Sequence, residues 1–283
     1  MIDLSKKKIS PTLYKMLDHY EADRTSGEGK VCGLIIREVL AGNIPEEDLD
    51  KEAFRFGAYF EYICTGAYSE RKGKPEPETT NKGDVVAAYQ QLQFLQEHYQ
   101  SYYDYVTLIL GWKWVRTGYK YNNHDEATGI EDIVFIRPDG VYVIVDLKLS
   151  ALFDDDYKPF GWGLKRLEDK PNLIIQAPWY KLLFSLEEGG QIPVFQFWVF
   201  NRQATKANGK QPYKIIEVEV EASRLESLKL NINGIYNYFH KKFMKFKDSE
   251  LAKPNFENCY GCPAVNCLHQ KIYPEPNQIV FLH

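Results

Sequence analysis

Apolar residues recur along this chain with two different periods, and the switch between them marks its elements. Over residues 10–70 the spacing is mainly helical, and Ala53-Phe-Arg-Phe-Gly-Ala-Tyr-Phe-Glu61 is one apolar-faced segment. Residues 71–82 read as a charged, proline-containing loop, and Asp84 is placed to cap a long helix running to about residue 104. Runs rich in β-branched and aromatic residues then predict strands near 112–121, 130–137 and 141–149. A long connection covers 150–169 and a helix roughly 170–187. Strands follow near 193–201 and 213–220, and a last helix spans about 222–247. Helices flanking a central mixed sheet make this an α/β fold.

The two runs at 130–137 and 141–149 flank Arg137-Pro138-Asp139-Gly140, a hairpin signature. Proline suits the first central position of a type I turn, and glycine the left-handed position after it. If Pro138-Asp139-Gly140 is a three-residue loop, Arg137 faces Val141 and paired residue numbers sum to 278. Asp132 then lies opposite Asp146, and alternation puts Lys148 on the same face as both. Directly opposed carboxylates repel unless a cation sits between them. The other residues of both runs are almost all apolar, so the ribbon is expected to be buried on both faces. Ionisable groups at the end of such a ribbon are rarely there for stability. Two carboxylates and a lysine so arranged suit a site that holds a divalent metal and attacks a phosphodiester. A two-residue loop would instead separate the aspartates onto opposite faces.

Two further groupings bear on that site. In Gln176-Ala-Pro-Trp-Tyr180 the amide and the phenol are four residues apart, on one helical face, and can point at one place. Both can hydrogen-bond a nucleotide backbone or orient a neighbouring group, although Pro178 is expected to kink a helix that it interrupts. In Gly57-Ala-Tyr-Phe-Glu61, Glu61 is a lone carboxylate among aromatics. It is either an ordinary salt-bridged glutamate or a further oxygen ligand for a hard cation such as magnesium.

Cys259-Tyr-Gly-Cys262-Pro-Ala-Val-Asn-Cys267 is a different kind of signal, three thiols within nine residues. His269 can complete a local Cys3His zinc site. Alternatively Cys32 supplies a fourth thiolate to an iron–sulfur cluster that joins the two ends of the chain. Cys64, in an apolar stretch, reads as a buried core thiol.

Composition narrows the function classes. With 283 residues and 44% hydrophobic content, one large domain, or a domain with a small appendage, is expected. A net charge of −4 argues against an indiscriminate polyanion binder, so any nucleic-acid surface is a local basic strip. No apolar run approaches the length of a membrane span, and the N-terminus lacks the apolar core of a signal peptide. Five cysteines, three of them clustered, fit a reducing cytoplasm and a metal site better than a disulfide framework.

Taken together, Gly57-x3-Glu61, Asp132, Asp146-x-Lys148, Gln176-x3-Tyr180 and the terminal cysteines resemble the PD-(D/E)xK nuclease superfamily. The likeness is to its RecB-like branch, with the AddB-type and CRISPR-associated nucleases that carry an iron–sulfur cluster. It spans residues 32 to 267. The name-giving proline is absent, Glu131 preceding Asp132, and the Cys262–Cys267 gap is one residue shorter than the usual pattern.

The resemblance implies a restriction-endonuclease-like core at 111–250, after a mainly helical part at 1–110 that carries Glu61. A cysteine-rich tail at 251–283 would pack on the core. It implies that Asp132, Asp146, the carbonyl of Leu147 and Glu61 hold magnesium or manganese. Lys148 would orient the attacking water and stabilise the developing charge. Gln176 and Tyr180 would lie beside the active site and contact DNA. Cys32, Cys259, Cys262 and Cys267 would hold a [4Fe–4S] cluster, with zinc as the alternative. The expected activity is that of a metal-dependent DNA exonuclease in recombination, repair or replication of a bacterium or phage. It would work in the cytoplasm, with a single-strand annealing protein or a helicase as a possible partner. A CRISPR-adaptation nuclease, a non-catalytic DNA-binding subunit of the same fold and a zinc-binding interaction module are the alternatives.

Three strips carry basic and aromatic groups suited to DNA: Trp112 to Lys120; Lys158, Trp162, Lys165 and Arg166; and Lys241, Lys242, Lys245 and Lys247. The second lies in the connection between Lys148 and Gln176, where it can act as a strand-guiding flap over the site.

Overall fold

The structure, a computed structural model, describes residues 8–15, 52–68, 73–122, 124–170 and 174–245. Two compact units divide the chain, one of Asp50–Lys229 and one of Met1–Leu49 with Leu230–His283. The first holds the whole sheet. Cys32, Cys259, Cys262, Cys267 and His269 lie outside the described residues, as does the tail at 251–283.

The first unit is a five-stranded sheet in the order β1-β2-β3-β4-β5, formed by Lys113–Tyr121, Gly129–Ile136, Tyr142–Ser150, Val194–Asn201 and Tyr213–Glu217. β3 and β4 run parallel and every other neighbour pair is antiparallel. The parallel pair needs a crossover, and the chain between Ser150 and Val194 supplies it with helix α3 (Gln176–Glu187), whereas hairpins suffice elsewhere.

Alternation along the strands divides the core into two layers. Ile133, Phe135, Val143, Val145, Leu147, Trp198 and Phe200 pack with α1 (Glu52–Thr65) and α2 (Ala87–Asp104). Phe195 stacks on Tyr180, and Tyr142 meets Phe184, so α3 covers the other face. The mixed α/β sheet expected from the sequence is thus the observed one. α4 (Ala222–Lys245) closes the described chain. Among the described residues no helix is long and apolar enough to cross a membrane.

Two local expectations are corrected. α2 starts at Ala87 with Val86 at its cap and no side-chain cap, while the Asp84 carbonyl accepts the Thr80 amide. Burial of Tyr89, Leu92, Leu95 and Tyr99 therefore stabilises this helix in place of a capping bond. α3 begins at Gln176, which puts Pro178 in the first turn, where a missing N–H costs no intrahelical bond and the helix need not kink.

Candidate active site

The turn sets the register. The Arg137 amide donates to the Val141 carbonyl at 2.9 Å, and Gly140 takes a φ of 84°, the left-handed geometry the turn requires. The pairs Ile136↔Tyr142 to Ile133↔Val145 all sum to 278, the register of a three-residue loop.

The ladder stops there, one pair short of Asp132 and Asp146. Asp132 does not sit in a directly opposed pair; its Oδ2 accepts the Leu147 amide at 2.6 Å. That bond gives the Leu147 amide a partner where β2 no longer supplies one. It also spares the two carboxylates the repulsion of direct opposition. On the far side of β2, the flanking pairs Thr117↔Ile133 and Tyr119↔Glu131 put Gly118 opposite Asp132. Gly118 adopts a φ of 62° and has the Ala67 Cβ 3.3 Å from where its own would stand, so glycine is required at this bend.

The Lys148 ammonium forms an ion pair with Oδ2 of Asp146, whose side chain is almost completely buried. Glu61, on α1, adds its charge to the same place. Burial, then Glu61, then Asp146 hold the Asp132 carboxyl well above the usual carboxylate range. Burial pulls the Lys148 ammonium down, but Asp146, Asp132 and Glu61 outweigh it and raise its pKa, so it is cationic at neutral pH. On α3 the Gln176 side chain bonds to the Tyr180 hydroxyl, which the Ile130 amide also engages, and burial with the fields of Asp146 and Asp132 raises that phenol. Gly129 makes room for the ring, since a Cβ there would lie 2.7 Å from Cε1 of Tyr180. The fold therefore gathers Glu61, Asp132, Asp146, Lys148, Gln176 and Tyr180 from two strands and two helices.

Among the described residues no three His, Cys, Asp or Glu side chains form a ready-made metal-binding group. The donor set nonetheless fits a hard cation in type and charge. Three carboxylates share the field of one ammonium, and hard oxygen donors of this kind suit magnesium or manganese. In an extended strand the N–H and C=O of one residue point to the same edge, so the Leu147 carbonyl faces the gap that Asp132 closes.

A buried network beside the site went unread in the sequence. The Glu131 carboxylate is buried and takes bonds from Nε of Arg116 at 2.5 Å and from the Tyr121 hydroxyl. Arg116 also bonds Glu188 at 2.9 Å, its guanidinium lies over the Tyr119 and Phe184 rings, and the Tyr119 hydroxyl bonds Glu187. These contacts grip the C-terminal turn of α3. A glutamate inside an apolar strand run was the available signal.

The expected DNA strips are partly corrected. Trp162 is 3% exposed and packs edge-on against Phe197 at 5.0 Å, so it cannot stack on a base. Lys165 and Arg166 are exposed, and Arg166 pairs with Asp169. Trp112 is buried under Arg137 and Arg116 is held by Glu131 and Glu188, while Lys113, Trp114 and Lys120 are exposed. The side chains of Lys241, Lys242 and Lys245 are outside the described set, as is Lys247. Cys64 is a partly buried thiol against the α1–α2 layer, and burial pushes its pKa up, which makes it unreactive.

No family model and no curated protein matches the chain. Among solved structures it resembles a protein from Eubacterium rectale provisionally described as an exonuclease, with 21% sequence identity, a TM-score of 0.51 and 83% of each chain covered. At that identity the likeness is one of fold alone.

Proposed function

We propose that this protein is a metal-dependent DNA nuclease, and that it degrades DNA from ends. The observation that carries the reading is the convergence of Asp132, Asp146 and Lys148 with Glu61 at a break in the central ladder. Such a concentration of carboxylates, with Asp146 buried and Asp132 and Glu61 partly so, is costly for a fold and useful for a reaction. The fold shared with a protein provisionally described as an exonuclease supports it.

Glu61, Asp132, Asp146 and the Leu147 carbonyl would hold magnesium or manganese. A bound divalent cation would supply charge neutralisation at the phosphate and a lowered pKa for the attacking water. Lys148 Nζ, cationic and oriented by Asp146, would stabilise the charge that grows on the phosphate oxygens. Donors placed in this way are worth on the order of 10²–10³ in rate. The Tyr180 hydroxyl, held by Gln176 and the Ile130 amide, would position the nucleotide backbone beside the carboxylates. Cys32, Cys259, Cys262 and Cys267 are proposed as ligands of a [4Fe–4S] cluster, against zinc, and iron analysis of anaerobically purified protein decides between them.

The test is digestion of end-labelled linear single- and double-stranded DNA with magnesium or manganese, beside Asp146→Ala. Metal-dependent cleavage that the variant lacks supports the reading, and a ladder of shortened products supports degradation from ends. Intact DNA with the folded wild type, across both metals and both substrates, overturns it.

A further inference from the structure

Residues 151–170, in the connection between β3 and α3, form a self-bonded loop. The Lys170 ammonium, buried at its centre, donates to the carbonyls of Asp155 and Gly161 at 3.0 and 2.6 Å. The Trp162 amide donates to the Leu152 carbonyl at 2.9 Å and the Gly163 amide to the Asp155 carbonyl at 3.0 Å. A Cβ on Gly161 would stand 2.1 Å from the Asp155 carbonyl oxygen, and one on Gly163 2.2 Å from Oδ1 of Asp156. Trp162 and Phe153 anchor the loop in the core.

Held outward on this frame are two large aromatic rings, Tyr157 at 82% and Phe160 at 70% exposure. Lys158, Lys165 and Arg166 of the same loop are also exposed, and the Arg166 guanidinium lies 5.9 Å from the Tyr157 ring centroid. The neighbouring acids are engaged within the fold. Oδ1 of Asp155 accepts the Tyr157 and Lys158 amides, and its Oδ2 lies 3.8 Å from the Lys158 ammonium. Oδ1 of Asp156 accepts the Lys165 amide, Asp169 pairs with Arg166, and Asp154 pairs with Lys214 of β5. Phosphates would therefore exchange with exposed ion pairs at Lys158 and Arg166. Exposed rings on a self-bonded support, beside cations, match what an unpaired base and its phosphate require: a π-face and a positive neighbour, both already in place.

We infer that Tyr157 and Phe160 are a stacking platform for the unpaired bases of single-stranded DNA, with Lys158, Lys165 and Arg166 on its phosphates. The inference rests on the nuclease reading, because the loop joins the strand of Asp146 and Lys148 to the helix of Gln176 and Tyr180. Between residues 150 and 170 the acids Asp154, Asp155, Asp156, Glu168 and Asp169 nearly balance Lys158, Lys165, Arg166 and Lys170. Stacking is therefore expected to carry much of the contact, and the three phosphate contacts to add a salt dependence with a log–log slope of about −2.

The test is fluorescence anisotropy with the full chain in EDTA, where binding is read without hydrolysis. The probes are a labelled oligo(dT) of about 20 nucleotides, long enough for one site, an abasic strand of the same length and a blunt duplex. Tyr157→Ala with Phe160→Ala should weaken oligo(dT) binding at least about tenfold while duplex binding and melting temperature stay unchanged. Tyr157→Phe should bind oligo(dT) as the wild type does. An abasic strand bound as tightly as oligo(dT), or a double variant equal to the wild type, overturns the platform. If the wild type still digests DNA in that case, the nuclease reading stands and only the platform falls. If the wild type neither binds nor digests DNA, both fall.

Discussion

The carboxylate of Asp132 accepts the backbone amide of Leu147, one residue beyond the partner that its hairpin register assigns to it. This bond opens the strand pair where Asp146 and Lys148 stand, and it brings Asp132 into the field of Glu61. An ordinary ladder would have continued through both aspartates. The break is what converts two strand residues into part of a site.

The cost of that arrangement is visible in its pH dependence. The Asp132 carboxyl titrates above its unfolded value, so the folded state holds a proton that the unfolded state releases. Its contribution is therefore most favourable below the ordinary aspartate range and declines as pH rises toward the raised value. Asp132→Asn keeps an acceptor for the Leu147 amide and removes the charge. With that unfavourable charge gone, the variant should melt at a higher temperature than the wild type at pH 8. The gain should vanish near pH 4, about the ordinary aspartate pKa. Melting curves across pH without divalent metal check this, and a variant less stable at pH 8 would refute it.

Arg116 and Glu131 are coupled through a buried contact. Arg116→Ala leaves the Glu131 carboxylate buried without its cation and should cost about 3–5 kcal/mol. Removing both charges, with Glu131→Gln, should recover part of that loss. Urea unfolding of the two single variants and the double gives the coupling energy, and additive effects would mean that the pair does not hold β1 and β2 to α3.

Gly129 and Tyr180 make the third prediction. The ring cannot retreat, because it is buried and stacks on Phe195 with centroids 6.2 Å apart. Gly129→Ala should therefore cost about 1–3 kcal/mol through overpacking. If Tyr180 acts in the reaction, the DNA cleavage rate should fall even at temperatures where the variant is fully folded. An unchanged melting temperature would show that the ring has room that the geometry denies it.

Much of this was legible in the sequence, because it is local. Pro138-Asp139-Gly140 dictates a three-residue turn, and that turn with period-two alternation sets the register at 278. A four-residue helical spacing sufficed to bring Gln176 to Tyr180. Local rules could not show where the ladder ends, because that depends on Gly118, on the repulsion between two carboxylates and on an amide in need of a partner. Nor could they bring Glu61 to Asp132, which requires α1 to pack on the sheet from far away in sequence. In the 150–169 connection the sequence singled out Trp162 for DNA contact over Tyr157 and Phe160. Tertiary packing decided between them, burying Trp162 against Phe197 and leaving the other two rings in solvent. The chain thus determines its elements, turns and register through contacts a few residues apart. Which carboxylates meet, and which rings stay exposed, depends on burial and charge among residues that only the folded sheet brings together.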